Sequence, residues 1–210
     1  MLYIDAVIFD LDGVLVDACE WHFEALNRAL MEMCGFEISR LEHESTFNGL
    51  PTKTKLNMLS ETDLIPWDIH DKIWKRKQEL TVDVIRDLTT VDEGKKELIL
   101  AILGTGAKVG CVTNSIRASV DMMLDKTGIG DMFDFVIGSD EVDLPKPHPE
   151  GYITAMVSLR SLPKRTLIVE DSINGINAAR MTGAHVLEVK NAEEVTIDLI
   201  LPILKGEVKI

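Results

Sequence analysis

Asp10 and Asp12 stand at the end of the run AVIFDLD, Ala6 to Asp12, and Gly13 follows at once. An apolar run of this kind suits a strand buried in a parallel sheet, and ligands of such sheets sit at the carboxyl ends of the strands. Two carboxylates spaced two residues apart at a strand exit can aim both side chains at one reacting group, while the glycine lets the chain turn away. Polar groups recur at later strand ends: Thr113, Asn114 and Ser115 after Lys108 to Val112, Lys146 in the loop LPKPHPEG, and Glu170 with Asp171 after Thr166 to Val169. Alone, each has an ordinary role as a helix cap or surface charge. Together, in this order, they converge on one edge of a sheet.

Carboxylates crowded around one point repel one another unless a cation sits among them. Hard oxygen ligands with no imidazole or thiolate nearby point to Mg2+. Asp10 and Asp171 are its leading ligands on this reading. A carboxylate beside Mg2+ can attack phosphorus and form an aspartyl-phosphate, so Asp10 is the expected nucleophile. Asp12 is placed to protonate the leaving oxygen and later to take a proton from water. The Thr113 hydroxyl and the Lys146 ammonium are expected to hold the equatorial phosphoryl oxygens.

These side chains need a scaffold. Trp21, Ala25, Leu26, Ala29, Leu30 and Met33 recur at helical spacing before Gly35, and helical spacing persists to Arg86 with no convincing strand. From Val91 onward helix and strand alternate: helices at Glu93 to Leu103, Ala118 to Lys126, Gly151 to Leu159 and Ile173 to Met181, and strands at Lys108 to Val112, Phe135 to Ile137, Thr166 to Val169 and Ala184 to Val189. The expected fold is α/β, a doubly wound, Rossmann-like parallel sheet, with residues 1–17 and 87–210 as the catalytic core and 18–86 as an inserted all-helical domain. Trp21, Trp67 and Trp74 read as packing residues. His43, His70, His148 and His185 share no spacing and receive no catalytic role.

The 210 residues, 46% of them hydrophobic, suffice for such a core. A formal charge of −13 repels nucleic acid and anionic membranes, and no run of about 18 uncharged apolar residues suits a membrane span. Three cysteines without CxxC spacing suit thiols of a reducing compartment. The expectation is a soluble, cytoplasmic protein, monomer or weak homodimer, with a small-molecule partner.

The chain resembles the haloacid dehalogenase superfamily, and within it the β-phosphoglucomutase-like phosphatases and phosphomutases. DLDGV at Asp10 to Val14, VTNS at Val112 to Ser115, KPHP at Lys146 to Pro149 and VEDSINGINAARMTGA at Val169 to Ala184 are similar to the four motifs of that family, in order. The resemblance implies that Asp12 also offers its backbone carbonyl to the metal and that Glu170 joins Asp171 there, and it makes the helical insert a cap domain. EWHFEAL around His22 and KRK ending in Lys77 resemble cap segments near the substrate. FNGLPTKTKL resembles the glycine loop that binds the distal part of the substrate, with Gly49 in place and Lys53 one residue beyond the position of an arginine in the mutases. Asn114, Ser115 and Arg117, past the second strand, are assigned to substrate as well. Thr52, Ala18 and the Thr-Asn pair depart from the mutase pattern and favour a phosphatase.

The expected activity is Mg2+-dependent hydrolysis of a phosphate ester, a sugar phosphate above all, through an aspartyl-phosphate. A sugar phosphomutase stays open as an alternative. So does another class altogether, a phospho-receiver or non-catalytic binding module, although neither needs Asp12 and a helical insert of this size.

Overall fold

Five strands among the described residues form one parallel sheet in the order β3-β2-β1-β4-β5, in a computed structural model that describes residues 3–47 and 50–208. They are β1 (Ala6–Phe9), β2 (Lys108–Val112), β3 (Phe135–Ile137), β4 (Thr166–Glu170) and β5 (His185–Glu188). The central strand, β1, is buried along its whole length, which is why its residues are apolar without alternation. It pairs with β2 from Ala6 opposite Lys108 to Phe9 opposite Cys111, and with β4 from Ala6 opposite Thr166 to Phe9 opposite Val169.

Helices α5 (Glu93–Gly104), α6 (Arg117–Thr127), α7 (Glu150–Leu159), α8 (Ile173–Met181) and α9 (Ile197–Leu204) accompany the sheet. One face of the sheet, carrying Ala6, Ile8, Val112 and Ile168, packs on Tyr152, Ala155, Met156 and Leu159 of α7 and on Ala178 and Ala179 of α8. Val7 and Phe9 point to the opposite face and are equally buried. β4 runs one residue beyond the expected end, because Glu170 still pairs in register with Glu188 and its carbonyl accepts from Val189 N at 2.9 Å.

The chain divides into two compact units, 1–17 with 89–210 and 18–88. The second is helical, with α1 (Cys19–Cys34), the short α2 (Arg40–Glu42), α3 (Thr52–Glu61) and α4 (His70–Leu88). Its core joins Ala25, Leu26, Ala29 and Leu30 of α1 to Leu56 and Leu59 of α3 and Ile73 and Leu80 of α4. Asn27, buried on α1, donates to Ile38 O and accepts from Ile38 N, both at 2.9 Å, so its amide substitutes for a backbone partner. His43–Phe47 forms a π-helical turn, which the sequence pattern did not single out. Trp67 is outside the core of this unit: it is 56% exposed, its ring beside that of His70. No helix among the described residues is long and apolar enough to cross a membrane.

Candidate active site

The ends of β1, β2 and β4 and the loop before α7 bring their polar groups together. Asp10, immediately after β1, is 6% exposed, and its backbone N donates to Val169 O at 3.0 Å, so sheet pairing continues into the site. Lys146, also 6% exposed, donates through Nζ to Asp10 Oδ1 at 2.6 Å, Glu170 Oε1 at 2.5 Å and Val112 O at 2.7 Å. An ammonium has three N–H donors, and all are engaged. Lys146 therefore neutralises Asp10 directly and has no N–H left over in this arrangement for the phosphoryl oxygens expected from the sequence.

Glu170 is fully buried, and both of its oxygens are occupied. Oε1 accepts from Lys146 and from the Tyr152 hydroxyl at 2.5 Å. Oε2 accepts from Asp171 N, Ser172 N and Ser172 Oγ at 3.1–3.2 Å. Gly175, on the first turn of α8, leaves the space that this carboxylate fills, since a Cβ there would fall within it.

Asp171 differs. Its Oδ1 is buried with no hydrogen-bond partner among the described residues. One ligand atom each from Asp10, Glu170 and Asp171 lies within 4.8 Å of the others. Burial, and then the Glu170 charge, push the Asp171 carboxyl up to about 7, and burial holds Asp10 well above the usual carboxylate range although Lys146 opposes it. Burial works against the Lys146 ammonium, but Asp10 and Glu170 together raise its pKa above that of a free lysine. One ammonium among these carboxylates leaves an excess of negative charge, and one buried carboxylate oxygen of the group has no hydrogen-bond partner among the described residues. With hard oxygen donors and no nitrogen or sulfur ligand in the group, the set fits Mg2+.

Asp12 is held from the turn that follows β2. Its Oδ2 accepts from Ser115 Oγ at 2.7 Å and Thr113 Oγ1 at 3.2 Å. Thr113 Oγ1 in turn accepts from Ser115 N at 3.0 Å, so the two hydroxyls orient the carboxyl as a unit. Gly13 adopts φ +89°, and a side chain there would overlap the Asp171 carboxylate; the turn therefore requires glycine for both backbone and space.

Asn114 turns its amide to the main chain of Lys146, donating to the carbonyl at 3.1 Å and accepting from the N–H at 3.0 Å, and so fixes the loop that carries the ammonium. Arg117 lies apart: its guanidinium reaches Asp121, Glu141 and Val136 O. In the helical unit, Lys77 Nζ meets His22 Nδ1 at 3.0 Å, and Lys53 Nζ stands 5.7 Å from the centre of the Trp74 ring. Gly49 lies outside the described residues. Tyr152 and Ser172 are site residues that sequence reasoning missed. The signal for Tyr152 was a phenol on the apolar stripe of α7, since a buried tyrosine hydroxyl needs a partner.

Among known proteins, a phosphorylated carbohydrates phosphatase of Thermotoga maritima is 29% identical over 86% of this chain and 82% of its own. A phosphoglycolate phosphatase of Nitrosospira multiformis is 29% identical over 100% and 96%. The crystal structure of CbbY from Rhodobacter sphaeroides in complex with phosphate superposes with a TM-score of 0.79 at 25% identity, covering 88% of this chain and 85% of that one. The family model of the haloacid dehalogenase-like hydrolases matches residues 7–189, a span that runs from β1 past β5 and takes in every group described above, and the chain belongs to that family.

Proposed function

We propose that this phosphatase hydrolyses the phosphate ester of a small metabolite, a sugar phosphate foremost, through an aspartyl-phosphate formed on Asp10 with the help of Mg2+. The observation that carries the reading is the buried Lys146 ammonium on Asp10 Oδ1, beside the unpartnered oxygen of Asp171. The likeness to the phosphorylated carbohydrates phosphatase of Thermotoga maritima supports the carbohydrate class, and the phosphate in the Rhodobacter sphaeroides structure supports a phosphoryl site.

Lys146 occupies Oδ1 of Asp10, so Oδ2 is the oxygen that attacks phosphorus. The ester P–O bond breaks as the new one forms, and the departing oxygen takes its proton from Asp12. In the second half, water attacks the phosphorus of the aspartyl-phosphate and gives its proton to Asp12. The bond to Asp10 breaks, and inorganic phosphate leaves. Thr113 and Ser115 keep the Asp12 carboxyl aimed through both halves. Asp10, Asp171 and the main-chain carbonyl of Asp12 would hold Mg2+, whose charge offsets the carboxylates and polarises the phosphoryl oxygens. Glu170, with both oxygens occupied, acts from behind them by holding Lys146. We assign the choice of organic group to the helical unit, through His22, Lys53 and Lys77.

Release of phosphate from p-nitrophenyl phosphate and then from a sugar-phosphate panel, with and without Mg2+, tests this. Wild type should turn over only with the metal, and Asp10→Asn should lose about a thousandfold or more in rate. Equal release by both proteins overturns the nucleophile. Isomerisation of a sugar phosphate without net release would make the enzyme a mutase.

A further inference from the structure

We infer that Tyr152 is a positioning residue for phosphoryl transfer: its hydroxyl on Glu170 and its ring against Lys146 keep the ammonium on Asp10. The inference rests on the phosphatase reading above and adds a residue to it. Tyr152 belongs to the core cluster with Ile8, Val112 and Ala155 and is fully buried. A phenylalanine would fill that space equally well, so the hydroxyl calls for a reason of its own.

That reason lies in how Glu170 Oε1 is shared. It accepts from Lys146 Nζ and from Tyr152, both at 2.5 Å. The ammonium is thus balanced between two carboxylates, Glu170 at 2.5 Å and Asp10 at 2.6 Å. A carboxylate oxygen with a second donor exerts less pull on the first. Without the phenol, Glu170 would draw the ammonium toward itself and away from the nucleophile. The three donors on Oε2 prevent the carboxylate from rotating to relieve this.

The ring contributes separately. Its centre is 4.8 Å from Nζ, near enough for a cation–π contact. Every N–H of Lys146 has an acceptor in Asp10, Val112 O or Glu170, so its effect on chemistry depends on where its charge is fixed. Tyr152 touches no reacting atom. It acts through Lys146 and Glu170.

The test compares wild type with Tyr152→Phe and Tyr152→Leu in the full chain, by p-nitrophenyl phosphate kinetics at saturating Mg2+, by thermal melting, and by 15N NMR of the Lys146 ammonium in metal-free protein. Tyr152→Phe should melt close to wild type and keep KM within about twofold while kcat falls about tenfold, and the ammonium resonance should shift. Tyr152→Leu, lacking ring and hydroxyl, should lose more. Wild-type kcat with an unmoved resonance in Tyr152→Phe overturns the inference, as does a loss of activity that follows loss of folded protein alone. Should Tyr152→Phe not fold, 3-fluorotyrosine at 152 carries the same test, because it alters donor strength and nearly preserves outline: a changed kcat at constant KM supports the role, and no change overturns it. Absence of phosphate release by wild type on every ester would sink the phosphatase reading, and the ammonium resonance would still decide whether Tyr152 holds Lys146.

Discussion

Lys146 of the α/β unit and Lys77 of the helical unit are both 6% exposed, yet their surroundings differ. Lys146 is enclosed by two carboxylates, a carbonyl and an aromatic face. Lys77 meets an imidazole nitrogen, which accepts from an ammonium only while the ring is neutral and carries its proton on Nε2. His43 of the same unit is buried with an unpartnered Nδ1, its ring 4.6 Å from that of Phe23. At the strand ends of the α/β unit an ammonium is buried between carboxylates, whereas in the helical unit a buried ammonium meets a histidine ring and a buried imidazole packs beside an aromatic one.

The sharpest way to break this comparison is to remove the cation from the α/β unit. Lys146→Met should lower kcat by more than about a hundredfold. In metal-free protein it should cost about 3–5 kcal/mol of stability, the usual result of stripping one partner from a buried pair. The sign with pH follows from Asp10, whose pKa in the fold already lies above the ordinary value. Without Lys146 it rises further, so the variant should be least stable at high pH and recover as pH falls and the carboxyls take up protons. Urea unfolding at pH 8 and pH 5 checks this; a loss independent of pH would mean that Lys146 matters for packing and not for charge.

Gly175→Ala asks how little slack the same edge has. In a helix interior, alanine is favoured over glycine by about 1 kcal/mol. Here its Cβ would fall on the Glu170 carboxylate, and overpacking of this kind costs about 1–3 kcal/mol. The expected result is net destabilisation together with a lower kcat, read from denaturation midpoints and phosphate release. A stabilised, fully active variant would show that Glu170 is free to move.

An effect on stability alone belongs to the helical unit. Burial, and then Lys55, lower the His43 pKa to about 4, with Glu20 acting the other way. Above the ordinary histidine pKa both folded and unfolded forms are neutral; below it the unfolded chain takes up a proton that the folded ring refuses. Stability should therefore fall between about pH 6.5 and pH 4, by about 2 kcal/mol from pH 7 to pH 5 on this account. His43→Gln, which does not titrate, should lose less over that interval in parallel unfolding experiments.

Much of the α/β unit was legible in its sequence because the information is local. Strands fully buried in a parallel sheet are short apolar runs, and glycines and strand-end polar residues punctuate them; Phe135 to Ile137 and Ile173 to Met181 end where the pattern places them. The polar residues Asp10, Asp12, Thr113, Lys146, Glu170 and Asp171 do gather at one edge. What the residues alone leave open is which donor meets which acceptor. The Asn114 amide braces the main chain of Lys146, a pairing its place after β2 does not announce, and Tyr152 looks like any aromatic on a helix stripe until Glu170 is found beneath its hydroxyl. Those pairings depend on a few tenths of an ångström between elements far apart in sequence. The helical unit was harder to read, because its spacing marks a core without saying which buried histidine lacks a partner.

The central place of β1 in the sheet has a consequence for synthesis. Its neighbours follow about 100 and 160 residues later in the chain. At the usual pace of translation, about 5–20 residues per second, the first strand waits on the order of ten seconds for its second partner. Asp10 is thus made before the strands that flank it and is among the last residues of its strand to acquire a full set of neighbours. A ribosome stalled before Glu170 would carry Asp10 and Lys146 without the carboxylate that holds the ammonium from the other side.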